Sequence, residues 1–265
     1  MVLGVFLMDP NAVHALLLAF LAGMSTLLGA AVILFFRKSV RLITISLGFA
    51  AGIMIAVSLI ELFPLSVESL VPVYGKAMGT GFAVVFLLAG MLLSIWLDRV
   101  LPEPKLSVDE VKTGEDNRLF RTGIYSMLAL GLHNLPEGMA TFIAGYEDTA
   151  LGVTIALAIA FHNIPEGIAV AMPVWYSTGK RGKAFWYTFI SGAAEPVGAL
   201  IACLLLRPFL TDAVMGALFA LVAGIMVYIA VEELLPSSRA YGYEDWALLA
   251  TMAGVCLMPL TGVFR

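Results

Sequence analysis

Apolar residues run almost unbroken for long stretches, and the stretches recur along the whole chain. Eight of them stand out: Ala12–Phe36, Leu42–Phe63, Met78–Leu97, Gly123–Ala144, Leu151–Met172, Ala184–Leu206, Ala213–Leu235 and Trp246–Val263. Each is close to the ~20 residues that carry a helix across a bilayer. The pattern therefore predicts an all-α polytopic membrane protein with eight transmembrane helices. Gly and Pro recur inside the runs, which membrane helices tolerate because neighbouring groups satisfy the freed backbone. Connections are short except for Asp98–Arg121, which mixes charges of both signs and has Pro102 and Pro104 near its start. That composition predicts a polar, mobile loop. Residues 1–265 thus read as a single transmembrane domain with one polar loop at about 98–121.

The pattern also repeats internally. Ala51-Gly52-Ile53-Met54 leads to Glu61 and Pro64, and Ala223-Gly224-Ile225-Met226 leads to Glu233 and Pro236, always 172 positions later. The preceding segments align at a similar offset, Gly23 and Gly29 against Gly192 and Gly198. Segments 1–3 therefore correspond to segments 6–8. They stand five spans apart, an odd number, so the triplets cross the membrane in opposite senses around segments 4 and 5. Inverted repeats of this kind mark transporters that bind their substrate near the midplane.

Composition sharpens the class. Hydrophobic residues make up 61% of the chain, charged residues 13%, and mean hydropathy is +0.97. A soluble domain carries about 25% charged residues. The net charge of −4 says little, because the charges lie mostly in loops. Cys203 and Cys256 lie within apolar runs and are expected to act as small hydrophobes. Met1–Asp9 lacks the basic start of a signal peptide. If the N-terminus is outside, 12 of the 15 basic residues fall in cytoplasmic connections, with only Lys76, Arg207 and Arg265 outside. The excess of Lys and Arg on one side predicts both termini extracytoplasmic and the 98–121 loop cytoplasmic.

Candidate chemistry gathers in two consecutive segments. His133-Asn134-Leu135-Pro136-Glu137-Gly138 returns 29 residues later as His162-Asn163-Ile164-Pro165-Glu166-Gly167. Both copies lie mid-span, where a carboxylate costs ~2.5–3.5 kcal/mol on insertion scales. No Lys or Arg sits at that depth, so the expected partner is an external cation. On a helix, His133 and Glu137 share a face, as do Asn134 and Glu137. Two antiparallel helices then bring together a His2Glu2 set and an Asn2Glu2 set with common carboxylates, a candidate two-metal site. Such mixed nitrogen and oxygen ligands accept several divalent ions without the hold of a thiolate cage. Pro136 and Pro165 each free a carbonyl, on Leu132 and Phe161, which has to face protein or a polar cavity. The following glycines permit close helix approach.

Further carboxylates lie nearby in the pattern. Glu195, in segment 6 before Pro196, either adds an oxygen to the Asn/Glu side or bonds to neighbouring helices. Glu61, Glu232 and Glu233 lie near segment ends, where a Glu either lines an ion pathway or simply reaches the interface. His14, at the outer end of segment 1, reads as interfacial.

His133–Gly138, His162–Gly167 and Ser191-Gly192-Ala193-Ala194-Glu195-Pro196 resemble the ZIP (Zrt/Irt-like) family of divalent metal transporters, and the Gly52–Pro64 and Gly224–Pro236 stretches resemble segments 2 and 7 of its bacterial metal-uptake branch. The resemblance implies a multi-pass protein of the bacterial inner (plasma) membrane with eight helices and both termini outside. It implies inward secondary transport of zinc and related ions (iron, manganese, cobalt and cadmium) through a binuclear centre. Carried over, one ion would take His133, Glu137, His162 and Glu166, and the other Asn134, Glu137, Asn163, Glu166 and Glu195. Many members carry a His-rich loop between segments 3 and 4, whereas Asp98–Arg121 contains no His. Expected partners are divalent cations, as substrate rather than cofactor, and bilayer lipid, with a homodimer left open and no nucleic acid. No GxxxxGK[ST] phosphate loop is present, so ATP is not the direct energy source within this chain. The rival reading is a membrane-embedded di-metal carboxylate enzyme. Those sites use Glu-x-x-His, the reverse of the order here, and the HExxH motif is also missing.

Overall fold

The computed structural model describes residues 9–35, 39–100, 116–206 and 211–261, and no strand occurs among them. The helices are α1 (Pro10–Phe35), α2 (Val40–Ala56), α3 (Phe63–Tyr74), α4 (Lys76–Val100), α5 (Asp116–Glu147), α6 (Thr149–Thr178), α7 (Arg181–Gly192), α8 (Ala194–Ile201), α9 (Asp212–Tyr228), α10 (Leu235–Arg239) and α11 (Glu244–Thr261). A π-helical turn over Val57–Leu62 joins α2 to α3, another over Ile229–Leu234 joins α9 to α10, and a third over Ala202–Leu206 follows α8. The central part of the polar loop, residues 101–115, lies outside the described residues.

Six of these rods are long and apolar enough to cross a membrane: Pro10–Val32, Val40–Tyr74, Lys76–Trp96, Thr149–Met172, Arg181–Leu205 and Asp212–Arg239. The chain is thus an all-helical polytopic membrane protein. Predicted segments 4 and 8 are helical as α5 and α11 but are not among the six. On α4, Val85, Leu92 and Trp96 point outward, as expected of a face turned to acyl chains.

One boundary differs from the sequence reading. Segment 2 ends at Phe63 in the hydrophobic pattern, before Pro64, but the helix continues to Tyr74. The π turn accounts for this. The Phe63 amide bonds the carbonyl of Ser58, five residues back. The ladder is already widened where Pro64 lacks its N–H, so the ring is accommodated without ending the helix. Pro236 follows the second π turn in the same way, and Leu235 N–H bonds Ala230 O.

Close backbone approach sorts the helices into two groups. In the first, α1 crosses α7 at Gly23 and Gly192, where a β-carbon on either would lie 2.5 Å from the other's carbonyl oxygen. A β-carbon on Gly138 would overlap Glu195 O, and one on Gly198 would overlap Leu135 O, so α5 is pressed onto α8. Gly29 and Gly167 do the same between α1 and α6, against Ile164 O and Thr26 O. In the second group, Gly52 meets Thr251 O and Gly254 meets Phe49 O between α2 and α11. Gly224 meets Leu87 O and Gly90 meets Leu221 O between α9 and α4. None of the described glycines joins one group to the other. Between groups, α2 packs on α6 and α9 on α5.

Candidate metal centre

The motif helices α5 and α6 form a hairpin with Asp148 alone between them. Asp148 caps α6 by accepting the Leu151 amide at 2.8 Å, the usual task of a short polar side chain at an N-cap. The tight turn makes the helices antiparallel, and both run unbroken through Pro136 and Pro165. Asn134, Glu137, His162, Asn163 and Glu166 are all 0% exposed, and so is Glu195 on α8. His133 lies on α5, and its side chain is outside those described.

The two copies meet across the hairpin. His162 Nε2 lies 3.2 Å from Glu137 Oε1. The Asn163 amide donates to Glu195 Oε1 and, at 3.0 Å, to the carbonyl of Ala22 on α1. The Asn134 amide donates at 3.2 Å to the carbonyl of Ser191 on α7. A backbone carbonyl only accepts, so each of these bonds identifies the donating end of the amide as its nitrogen and leaves the Asn oxygen as an acceptor. The oxygens Asn134 Oδ1, Asn163 Oδ1 and Glu195 Oε2 are buried without a hydrogen-bond partner. Glu195 lies within electrostatic range of both Glu137 and Glu166.

Three carboxylates therefore share a water-excluded interior, and no Lys or Arg is buried among the described residues. Such a concentration of charge is stable only with a compensating partner. Oriented amide oxygens, carboxylates and imidazole are ligands for borderline and hard divalent cations. Among the described residues no three His, Cys, Asp or Glu side chains converge as a ready cluster. The further donors offered here are the amide oxygens, which are of another class, and His133, whose side chain lies outside those described.

The remaining candidates stand elsewhere. Glu61 is buried within the π turn between α2 and α3, and Glu233 is half-buried in the equivalent turn between α9 and α10. Glu232, beside it, is exposed. His14 is half-buried near the start of α1. Sequence reasoning did not find the carbonyls of Ala22 and Ser191. Their signal was the alignment of Gly23 with Gly192, which makes Ala22 and Ser191 equivalent positions.

A family model described as ZIP Zinc transporter matches residues 103–262. A curated relative named zinc transporter ZupT, from Clostridium perfringens, is 42% identical over 95% of this chain and 95% of its own. Proteins of the same name from Chlorobium chlorochromatii and Streptococcus mutans are 43% and 42% identical, each over 96% of this chain and 98% of their own.

Proposed function

The chain belongs to the ZIP zinc transporter family, and on that premise we propose that it is a secondary transporter carrying zinc and related divalent cations into the cytoplasm through a binuclear centre on α5, α6 and α8. The enzyme reading has no support in the family. The observation that carries the proposal is the burial of Asn134 Oδ1, Asn163 Oδ1 and Glu195 Oε2 without a hydrogen-bond partner, in an interior that also buries the carboxylates of Glu137 and Glu166. Zinc is the substrate here. His133, Glu137, His162 and Glu166 would take one ion, and Asn134, Glu137, Asn163, Glu166 and Glu195 the other. Purified protein in liposomes should accumulate labelled Zn2+, with Fe2+, Mn2+, Co2+ and Cd2+ competing. Zinc bound without accumulation, or consumed with a chemical product, would sink the proposal.

Eight spans with both termini outside the bacterial inner membrane fit the distribution of basic residues. In that orientation the 98–121 loop is cytoplasmic. A single cysteine placed there in a Cys-free background should resist an impermeant thiol reagent in intact cells. Strong labelling would reverse the topology.

An inverted repeat accounts for the correspondence between the two halves. Val40–Ala56, the π turn Val57–Leu62 and the start of α3 recur 172 residues later as Asp212–Tyr228, Ile229–Leu234 and the start of α10. Glu61 then stands toward the outer surface and Glu233 toward the inner, with Glu232 beside it, where they are placed to pass cations to and from the centre. Each group of helices is bound internally by close glycine–backbone approach, and no described glycine makes such an approach between the groups. That division favours alternating access over an open channel.

A further inference from the structure

The halves of the metal centre correspond residue for residue. A shift of 29 carries α5 onto α6 and pairs His133 with His162, Asn134 with Asn163 and Glu137 with Glu166. A shift of 169 carries α1 onto α7 and α8 and pairs Ala22 with Ser191, whose carbonyls hold the two Asn amides. The same shift pairs Gly23 with Gly192, and it pairs Thr26 with Glu195. Packing agrees. Thr26 O lies against Gly167, the residue after Glu166, and Glu195 O lies against Gly138, the residue after Glu137. The β-carbons of Thr26 and Glu195 each lie 3.0 Å from where a β-carbon of the opposed glycine, Gly192 or Gly23, would stand. Both side chains are 0% exposed. Every other pair matches in kind or presents the same carbonyl. Only this pair sets a hydroxyl opposite a carboxylate.

We propose that Thr26 is a specificity-determining residue of the metal centre: on the Asn134 side it holds the place that Glu195 holds on the Asn163 side, and its neutral hydroxyl limits the centre to three carboxylates. The inference rests on the centre proposed above. Two divalent cations over three carboxylates leave one positive charge, which favours release. A fourth carboxylate cancels that charge and makes the ligand set harder, which favours Mn2+ over Zn2+. In the native chain the Thr26 hydroxyl donates to Gly23 O at 2.7 Å, so it is held in place without contributing charge.

The test is an exchange across the pseudo-symmetry. Glu195→Thr, Thr26→Glu and the double variant are compared in proteoliposomes by initial Zn2+ uptake. Glu195→Thr is expected to lose about tenfold, and the double variant to recover most of that loss, the coupling of two groups that serve one site. A double variant that keeps the parental melting temperature but transports no better than Glu195→Thr overturns the proposal. If the double variant does not accumulate as folded protein, Thr26→Asp decides. Mn2+ should compete against labelled Zn2+ about tenfold better than in the parent, and unchanged competition overturns the proposal. Parental uptake by Glu166→Gln would instead overturn the centre itself. A failed exchange with Glu166→Gln inactive removes only the role of Thr26.

Discussion

Glu166→Gln is expected to lower zinc uptake by on the order of a hundredfold, the scale at which removal of one member of a buried charged set is felt. The substitution keeps the shape of the side chain and removes its charge. Glu166 is fully buried on α6, one residue before the glycine pressed against Thr26 O. In the proposed centre it is shared by both ions, so its loss damages both positions at once. Asn163→Ala removes a ligand of one ion only, together with the amide that holds Glu195, and should cost about tenfold. Glu61→Gln and Glu233→Gln, on the proposed pathway and outside the proposed centre, should slow uptake less than Asn163→Ala. The measurement is Zn2+ uptake at equal membrane level across the four variants. If Glu166→Gln transports like the parent, the shared-carboxylate centre is wrong.

Gly138→Ala is expected to cost nearly as much without touching a ligand. A β-carbon at Gly138 would overlap the carbonyl oxygen of Glu195. That atom is backbone, so α5 and α8 have to move apart. Adding one methyl group to a packed interior costs ~1–3 kcal/mol. The larger effect is on geometry, because the displaced residue is Glu195 itself. A displacement of about 1 Å in a preorganised site can cost a hundredfold. Gly81 on α4 is the control, since a β-carbon there meets nothing within 4 Å. Gly81→Ala should match the parent in melting temperature and uptake, while Gly138→Ala should fall in both. Equal behaviour of the two variants would refute the close α5–α8 packing.

The sequence made the candidate ligands legible because a carboxylate, an amide and an imidazole stand out against an apolar run, and the doubled motif offered six of them at once. It made the correspondence of Gly52 to Gly224 and of Glu61 to Glu233 legible by spacing alone. The π turns were not legible. Whether an amide bonds four or five residues back is decided by packing, and Pro64 suggested an end to a helix that runs on to Tyr74. The carbonyls of Ala22 and Ser191 were hidden for a different reason. Every residue has a carbonyl, so nothing in the alphabet of side chains marks the two that aim the Asn amides. The matching of α2 with α11 and of α4 with α9 depends on long-range pairing, which hydropathy does not encode. The polar loop falls largely outside the described residues.

That cross-matching has a consequence for how the protein is made. The glycine face of α2 is covered by α11, the last described helix, and that of α4 by α9. The end of α3 at Tyr74 leaves the ribosome well before Thr261 at the end of α11. At ~5–20 residues per second, the delay is roughly ten to forty seconds. Until α11 is made, Gly48 and Gly52 lack the backbone carbonyls of Ala247 and Thr251 that cover them in the folded protein. The pairing of early with late helices therefore makes synthesis of α11 a condition for closing the second group. A nascent chain halted before α11 carries an open small-residue face that a membrane quality-control protease can read as unfinished.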